Sequence, residues 1–476
     1  MPEQSVRSAK DVAHIMDDRE SLVIDAVRGA VRSLLATQPA RTDDGPPAIV
    51  VGFSGGVDST VLLDALAHVA AKIEFKVAAL HVHHGLSPNA DDWADFCATE
   101  CARRDVPLTV HRARVERAPG ESLEAAARDA RYAAFAAVDA DAIALAHHAD
   151  DQAETVLLQL LRGAGAAGLA AMPALRRDSH PPLLRPLLGL PRSTLLSYAR
   201  SRNLRWIEDE SNADTRLRRN FLRHEIAPRL SAEFPGYPAT LARSAAHSAE
   251  AAELLDELAM LDGAGAIAND VGASLTLDRT RLQELLRRSP ARARNLLRWF
   301  LRQHRLPPPS TTRLAAMLDQ FDRAGPGARV AIEHSGVEIG IHRGSIVVHA
   351  RVVGPFEAIW HGEPELSLPH GTLAFVPSSG KGIAAAALRA TQVSVRQREG
   401  GERIRLAADR PERPLKKLLQ DAGIPPWLRA SLPLVYCDGQ LAAVPGVGVN
   451  APFQPASGED GFVLRWRPTN DAPGPC

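Results

Sequence analysis

From Ala48 to about Leu161, short apolar runs alternate with amphipathic stretches, and the period of the pattern switches between two and about 3.6. The runs at 48–53, 75–82, 107–111 and 142–147 predict strands. The stretches near 60–71, 90–104, 122–138 and 151–162 predict helices between them. Alternating units of this kind build a parallel sheet with helices on both faces, and such sheets bind ligands beyond the carboxyl ends of their strands. Ahead of the first strand, Glu20 to Leu35 predicts one amphipathic helix, closed by the polar break Thr42-Asp-Asp-Gly-Pro-Pro47. The Pro-containing segment Arg185 to Arg192 leads into a further helix. After Pro228 the composition turns to Ala, Leu, Glu and Arg, and beyond about 385 strands at 391–396 and 434–436 flank a helix at 414–423. The expected division is an N-terminal extension at 1–44, a catalytic domain at 45–228, a mainly helical domain at 229–385 and a C-terminal domain at 386–470. The fold class is α/β: a Rossmann-like parallel sheet, then a mainly helical domain, then a smaller α+β domain.

The 476 residues, 45% of them hydrophobic, suffice for about three ordinary domains with real cores. No apolar run approaches the ~20 residues that span a bilayer, and Met1-Pro-Glu-Gln-Ser has no signal-peptide layout, so the expected address is cytoplasmic with no membrane partner. Four cysteines give no disulfide framework; Cys97 and Cys101, four apart on a predicted helix, read as free thiols. A formal net charge of zero argues neither for nor against nucleic acid. Lys is scarce while Arg is abundant, so arginine clusters carry less meaning here than usual.

The chemistry concentrates where predicted strands end. Ser54-Gly55-Gly56-Val57-Asp58-Ser59 lies between a buried strand and a helix. Paired glycines there turn the backbone tightly and present N–H groups, and the helix start adds positive potential, which makes an anion cradle. No Lys follows the glycines, so this is not the GxxxxGK[ST] loop. In His147-His-Ala-Asp-Asp-Gln-Ala-Glu154, Asp151 and Glu154 share one helical face; the pair suits a cationic substrate, and equally a capping box with Asp150 or Asp151 as N-cap. Gly163-Ala-Gly-Ala-Ala-Gly168 spells a dinucleotide fingerprint but follows a helix rather than a strand, which leaves a glycine-rich lid or a helix C-cap. Arg128 and Arg131 occupy a helix beside the sheet edge, as phosphate contacts or as a solvated face. His81, His83 and His84 end the second strand and read as structural.

The SGGVDS loop resembles the PP-loop of the ATP pyrophosphatases, and the series SGGVDST, HVHHGL, ESLEAAARDARY, AHHADDQAET, LLRGAGAAGL, RPLL and EDESNADTRLRRNFLRHEIAP resembles, in order, the tRNA(Ile)-lysidine synthase family. RQREGGERIRL and RPLKKLLQDAGIPPWLR extend the resemblance into the C-terminal region of the longer bacterial form. Residues 1–44 find no place in that pattern, and 230–390 offer few specific letters. The resemblance implies that ATP adenylates the 2-carbonyl oxygen of the wobble cytidine in a CAU anticodon, and that the ε-amine of free L-lysine then displaces AMP. It implies that Ser54, Gly55, Gly56, Val57, Asp58 and Ser59 bind ATP and that Asp58 holds Mg²⁺. Asp58, Arg128 and Arg131 become catalytic candidates, and His147, Asp151 and Glu154 lysine-binding ones. Arg219 and Arg223 are candidates for phosphate or tRNA(Ile), as are Arg403, Lys416 and Lys417. Asn220 is expected to order the same segment, and for Asn212 and Asp214 a turn or cap role fits as well as a functional one. The Arg-rich helix 281–305 and the segment 396–429 are expected phosphate-contacting faces. Monomer and homodimer both fit. The rival readings are a tRNA thiolase of the same superfamily, which needs reactive cysteines, an amidotransferase, which needs a glutaminase domain, and a noncatalytic tRNA-binding module.

Overall fold

The computed structural model describes residues 9–37, 45–117, 122–210, 214–269, 275–325, 328, 330–351 and 354–468. The chain divides into two compact units, Met1–Leu254 and Leu255–Cys476. The first opens with helix α1 (Ala9–Ala36), then β1 (Ala48–Gly52), α2 (Val57–Ala70), β2 (Lys76–His83), α3 (Ala90–Ala102), β3 (Leu108–Arg112), α4 (Leu123–Ala136), β4 (Ala142–Ala144) and α5 (Ala149–Leu161). There follow α6 (Ala166–Leu169), β5 (Leu175–Arg176), β6 (Leu183–Leu184), α7 (Arg192–Ser201) and α8 (Arg218–Phe221). The sheet runs β3-β2-β1-β4-β6-β5, parallel except for the antiparallel edge strand β5. The chain steps outward from β1 to β3 and then returns to the other side of β1 as β4. The order therefore reverses between β1 and β4, and their carboxyl ends open the crevice in which such sheets bind ligands.

Both faces of β1 are covered, which is why its run is apolar without alternation. Ile49 and Val51 join Leu62, Leu66, Leu195 and Tyr198 on one side, while Val50 meets Leu80, Phe135, Ile143 and Leu183 on the other. Val23, Val27, Val31 and Leu34 of α1 belong to the first of these clusters, so that helix is part of the core around β1.

The second unit carries antiparallel strands where helix was expected. Ala331–His334, Val337–His342 and Ser345–Ala350 join Leu275–Asp278 and Ile267–Asn269 in one sheet, and further strands run from Glu357 to Ser379. The mainly helical reading of 229–385 therefore holds only to Arg323. From Val337 onward Val and Ile alternate with other residues, and the buried positions Val337, Ile339 and Ile346 face the helices Pro290–Gln303 and Thr311–Arg323. The Arg-rich stretch 281–305 is two helices. Ser289 ends Arg279–Arg288 and caps Pro290–Gln303.

In the C-terminal part, strands Val393–Gln397 and Pro433–Cys437 and helix Leu415–Asp421 stand where the pattern predicts them. Among the described residues, no helix is long and apolar enough to cross a membrane.

Candidate functional site

Ser54 to Ser59 leave β1 and enter α2 at the switch point. Gly55 has φ +83°, and a Cβ there would sit 2.5 Å from Ile207 Cδ1 and 3.2 Å from Cys97 Sγ. The loop is thus held from behind by a segment that also donates the Ile207 amide to the Gly55 carbonyl at 2.9 Å. Ser59 is buried; its hydroxyl donates to the Gly56 carbonyl at 2.9 Å and lies 3.1 Å from the Ser54 hydroxyl. Thr60 Oγ1 donates to the Gly55 and Gly56 carbonyls. Side chains thus occupy loop carbonyls, and the Gly56 amide donates to the Ser54 hydroxyl at 3.4 Å.

Across the switch point, α5 starts two residues earlier than its letters suggest. Its N-cap is His148, whose Nδ1 accepts the Asp151 amide at 3.3 Å, while Asp151 Oδ2 accepts the His148 amide at 3.1 Å. The capping box is real, but its members are His148 and Asp151, not Asp150 or Glu154. Asp150 instead accepts the Arg192 amide at 2.8 Å, at the start of α7. His148 is 1% exposed and places Nε2 at 3.3 Å from Asp151 Oδ2 and 3.7 Å from Asp58 Oδ2. Burial works against its charged form, yet the Asp58 and Asp151 carboxylates raise its proton affinity above the ordinary histidine value. The adjacent-letter signal of two histidines pointed to His147 and missed His148, which links the loop to α5.

Glu154, 4% exposed, and Asp151 are occupied by arginines. Arg219 Nε donates to Glu154 Oε2 at 2.8 Å; Arg223 Nε donates to Glu154 Oε1 at 2.7 Å and Arg223 Nη2 to Asp151 Oδ1 at 3.0 Å. Burial alone would push the Asp151 carboxyl up, but His148, Arg219 and the neighbouring cations hold it below the usual range. Asn220 Nδ2 donates to the Asp214 carbonyl at 3.1 Å and so braces the segment that carries both arginines; Asn212 lies outside the described residues.

His147 receives the Arg185 Nε–H at its Nδ1, 3.2 Å away. Burial, and after it the cations Arg185, Arg219 and Arg128 against Asp151, push its pKa down to about 3. Arg128 and Arg131 are exposed on α4; Arg128 donates to the Tyr132 hydroxyl at 3.3 Å and lies over that ring, 4.9 Å from its centroid. The Gly163 segment is a helix C-cap. Gly163 has φ +70° and donates to the Leu160 carbonyl, and beyond it Gln152 and Met172 exchange two hydrogen bonds.

In the second unit, Arg403 is exposed beside Glu412 at 3.5 Å, and Lys416 and Lys417 are exposed on helix Leu415–Asp421 above buried Leu418 and Leu419.

Family comparisons align with this geometry. A PP-loop domain matches residues 29–230, a TilS substrate binding domain 281–347 and a TilS substrate C-terminal domain 393–466. The tRNA(Ile)-lysidine synthase of Nitrosomonas europaea is 43% identical over 429 residues, covering 88% of this chain and 92% of that one. Those of Azoarcus sp. and Aromatoleum aromaticum are each 42% identical, covering 90% and 88% of this chain and 94% and 97% of theirs. The chain belongs to the tRNA(Ile)-lysidine synthase family.

For a lysidine synthase relative, the cysteines matter by their inertness. Cys97 is fully buried beneath the loop, and burial pushes its thiol up to about 12; Cys101 is pushed up to about 11. Neither offers the thiolate that sulfur transfer needs. The thiolase reading loses its nucleophile among the described residues.

Proposed function

We propose that the switch-point crevice adenylates the wobble cytidine of a CAU-anticodon tRNA(Ile) and then ligates free L-lysine to it. The observation that carries this reading is the junction at His148, which touches both Asp58 of the phosphate cradle and Asp151 of the carboxylate pair. A cytosine carbonyl oxygen cannot leave by itself. Attack of that oxygen on the α-phosphorus of ATP releases pyrophosphate into the cradle of Ser54, Gly55, Gly56, Val57 and Ser59. Attack of the lysine ε-nitrogen on C2 then expels the oxygen with AMP.

Asp58 Oδ1 is buried and has no hydrogen-bond partner, a donor that suits a hard cation. Asp58 would hold Mg²⁺, which supplies charge neutralisation at the phosphates. Among the described residues no group of three His, Cys, Asp or Glu side chains surrounds it, so further ligands would come from ATP and water.

Lysine carries an ammonium with a reference pKa near 10.4, so the site must hold its α-groups and deliver a neutral ε-amine. Asp151 and Glu154 are assigned to lysine, with one condition set by the geometry. Their arginine partners must yield, and each arginine released becomes a guanidinium free to meet phosphate. Arg219 and Arg223 are assigned that role, joined from α4 by Arg128 and Arg131. Unpaired anticodon bases can be splayed into such a cleft. Arg403, Lys416 and Lys417 are assigned to the tRNA backbone.

The test is incorporation of radiolabelled lysine into an unmodified tRNA(Ile) transcript with a CAU anticodon. Labelling that requires ATP and disappears when the wobble cytidine becomes uridine supports the reading. Pyrophosphate release without labelling refutes lysine as the nucleophile.

A further inference from the structure

Arg185 is 5% exposed, and its guanidinium is held by neutral acceptors: His147 Nδ1 at 3.2 Å, the Pro173 carbonyl at 2.8 Å and the Tyr132 hydroxyl. A guanidinium has five donors and no acceptor. The ring nitrogen that meets it must therefore be the unprotonated one, and the only hydrogen of a neutral ring then lies on Nε2. Among the described residues no protein group accepts that hydrogen.

We propose that Arg185 is a positioning residue that fixes His147 as a neutral imidazole presenting Nε2–H to an anionic oxygen of the substrate. The oxygens in question are those of the α-phosphate, including the one that leaves with AMP. This assignment rests on the adenylation reading above and redefines His147 within it. A ring whose lone pair is committed to Arg185 can neither act as a general base nor accept a bond from the lysine ammonium. It can only donate. Such a donor, already oriented before charge develops, is what stabilises a developing oxyanion without reorganisation. The charged groups facing the ring act in opposite senses: Asp151 favours a second proton, while Arg185, Arg219 and Arg128 oppose it together with burial.

The experiment is ¹⁵N NMR of histidine-labelled full-length protein, with the His147 signal identified by its loss in His147→Gln, combined with pyrophosphate release measured with tRNA and without lysine. The expected wild-type signal has an unprotonated Nδ1 and a protonated Nε2, unchanged from pH 5 to 9. In Arg185→Met the two tautomers should interconvert and adenylation should slow at least tenfold; Arg185→Lys, which keeps a cationic N–H donor at a single nitrogen, should recover part of it. His147→Gln, whose amide reaches the Nε2 position, should retain more adenylation than His147→Asn, whose amide does not. A protonated Nδ1 in the wild type overturns the proposal. So does an Arg185→Met enzyme, folded by circular dichroism, that adenylates at the wild-type rate. If Arg185→Met fails to fold, the Gln and Asn pair decides, and equal rates for the two overturn it. Absence of lysine labelling in the wild type would defeat the functional reading instead, and leaves the NMR result standing by itself.

Discussion

Arg223 grips Glu154 at both oxygens, with Nε 2.7 Å from Oε1 and Nη2 3.0 Å from Oε2, across 69 residues of sequence. Glu154 is only 4% exposed, so this pair fixes α8 and the π-helical segment Leu222–Ile226 that follows it against α5. Arg223→Met leaves the carboxylate with Arg219 alone, and removing one partner of a buried pair costs more than the pair contributes. The expected loss is about 2 kcal/mol, below the full range for a buried pair because Arg223 is partly solvated. The double variant Glu154→Gln with Arg223→Met should regain part of that loss in a denaturant midpoint. A double variant no more stable than Arg223→Met would show that the ion pair is not what Arg223 contributes.

The two loop glycines are not equivalent. Gly55 combines φ +83° with a Cβ position 2.5 Å from Ile207 Cδ1, whereas at Gly56 the nearest atom is Ser54 Oγ at 3.5 Å. Gly55→Ala should cut ATP-dependent pyrophosphate release at least a hundredfold. Gly56→Ala should cost less than tenfold, since its backbone is already extended in a region open to alanine. Equal losses would mean that close approach of phosphate, rather than loop shape, governs both positions.

The loop was legible in the sequence because everything that defines it is local: a buried strand, two glycines and a helix start within a dozen residues. The arginine clamp was not. Arg219 and Arg223 read as phosphate contacts because no acidic residue stands three or four positions from either, where a helix would pair them; their partners lie 65 to 72 residues away. Asp151 and Glu154 were legible as a pair on one helical face, but whether they stand free or neutralised is a tertiary fact. His148 was hidden for a subtler reason. Cap preferences favour Ser, Thr, Asp and Asn, so a histidine N-cap draws no notice beside two aspartates. The strands after Val330 were overlooked because the abundant Ala and Arg around them suggested continued helix, while the alternation in Val337-Glu-Ile-Gly-Ile341 stood in the letters.

Half-buried histidines give the first unit an acid-sensitive stability. Burial, with Arg131 next, lowers His84 to about 4, and its Nδ1 has no hydrogen-bond partner; His147 is lowered to about 3. A folded-state value below the unfolded one favours the neutral ring. The stabilisation is then complete above about 6.5 and is lost as pH falls towards 4. His148 acts with the opposite sign, its stabilisation being present in acid and lost as pH rises through its raised value. His68 and His81 are lowered by burial as well, so four lowered histidines stand against one raised; the melting temperature should fall between pH 7 and pH 4.5, and His84→Gln should flatten that decline. A melting temperature that rises on acidification would mean that His148 dominates.

The two halves of the reaction should separate at Asp58 and Asp151. Asp58 belongs to the cradle loop and has a buried oxygen with no hydrogen-bond partner, Arg192 Nε lying 3.8 Å from it, so Asp58→Asn removes the charge assigned to Mg²⁺ and should abolish adenylation, with no pyrophosphate released at any lysine concentration. Asp151 is committed to the cap of α5 and to Arg223. Asp151→Asn keeps the cap's acceptor oxygen, so the helix start should survive. The loss then falls on the α-ammonium of lysine, and adenylate should still form while the lysine concentration for half-maximal transfer rises at least tenfold. Quenched-flow measurement of pyrophosphate release and lysine incorporation on one sample distinguishes the steps. Equal loss of adenylation in both variants would mean that His148 transmits the change at Asp151 to Asp58, and that the carboxylate assigned to lysine serves the phosphate cradle instead.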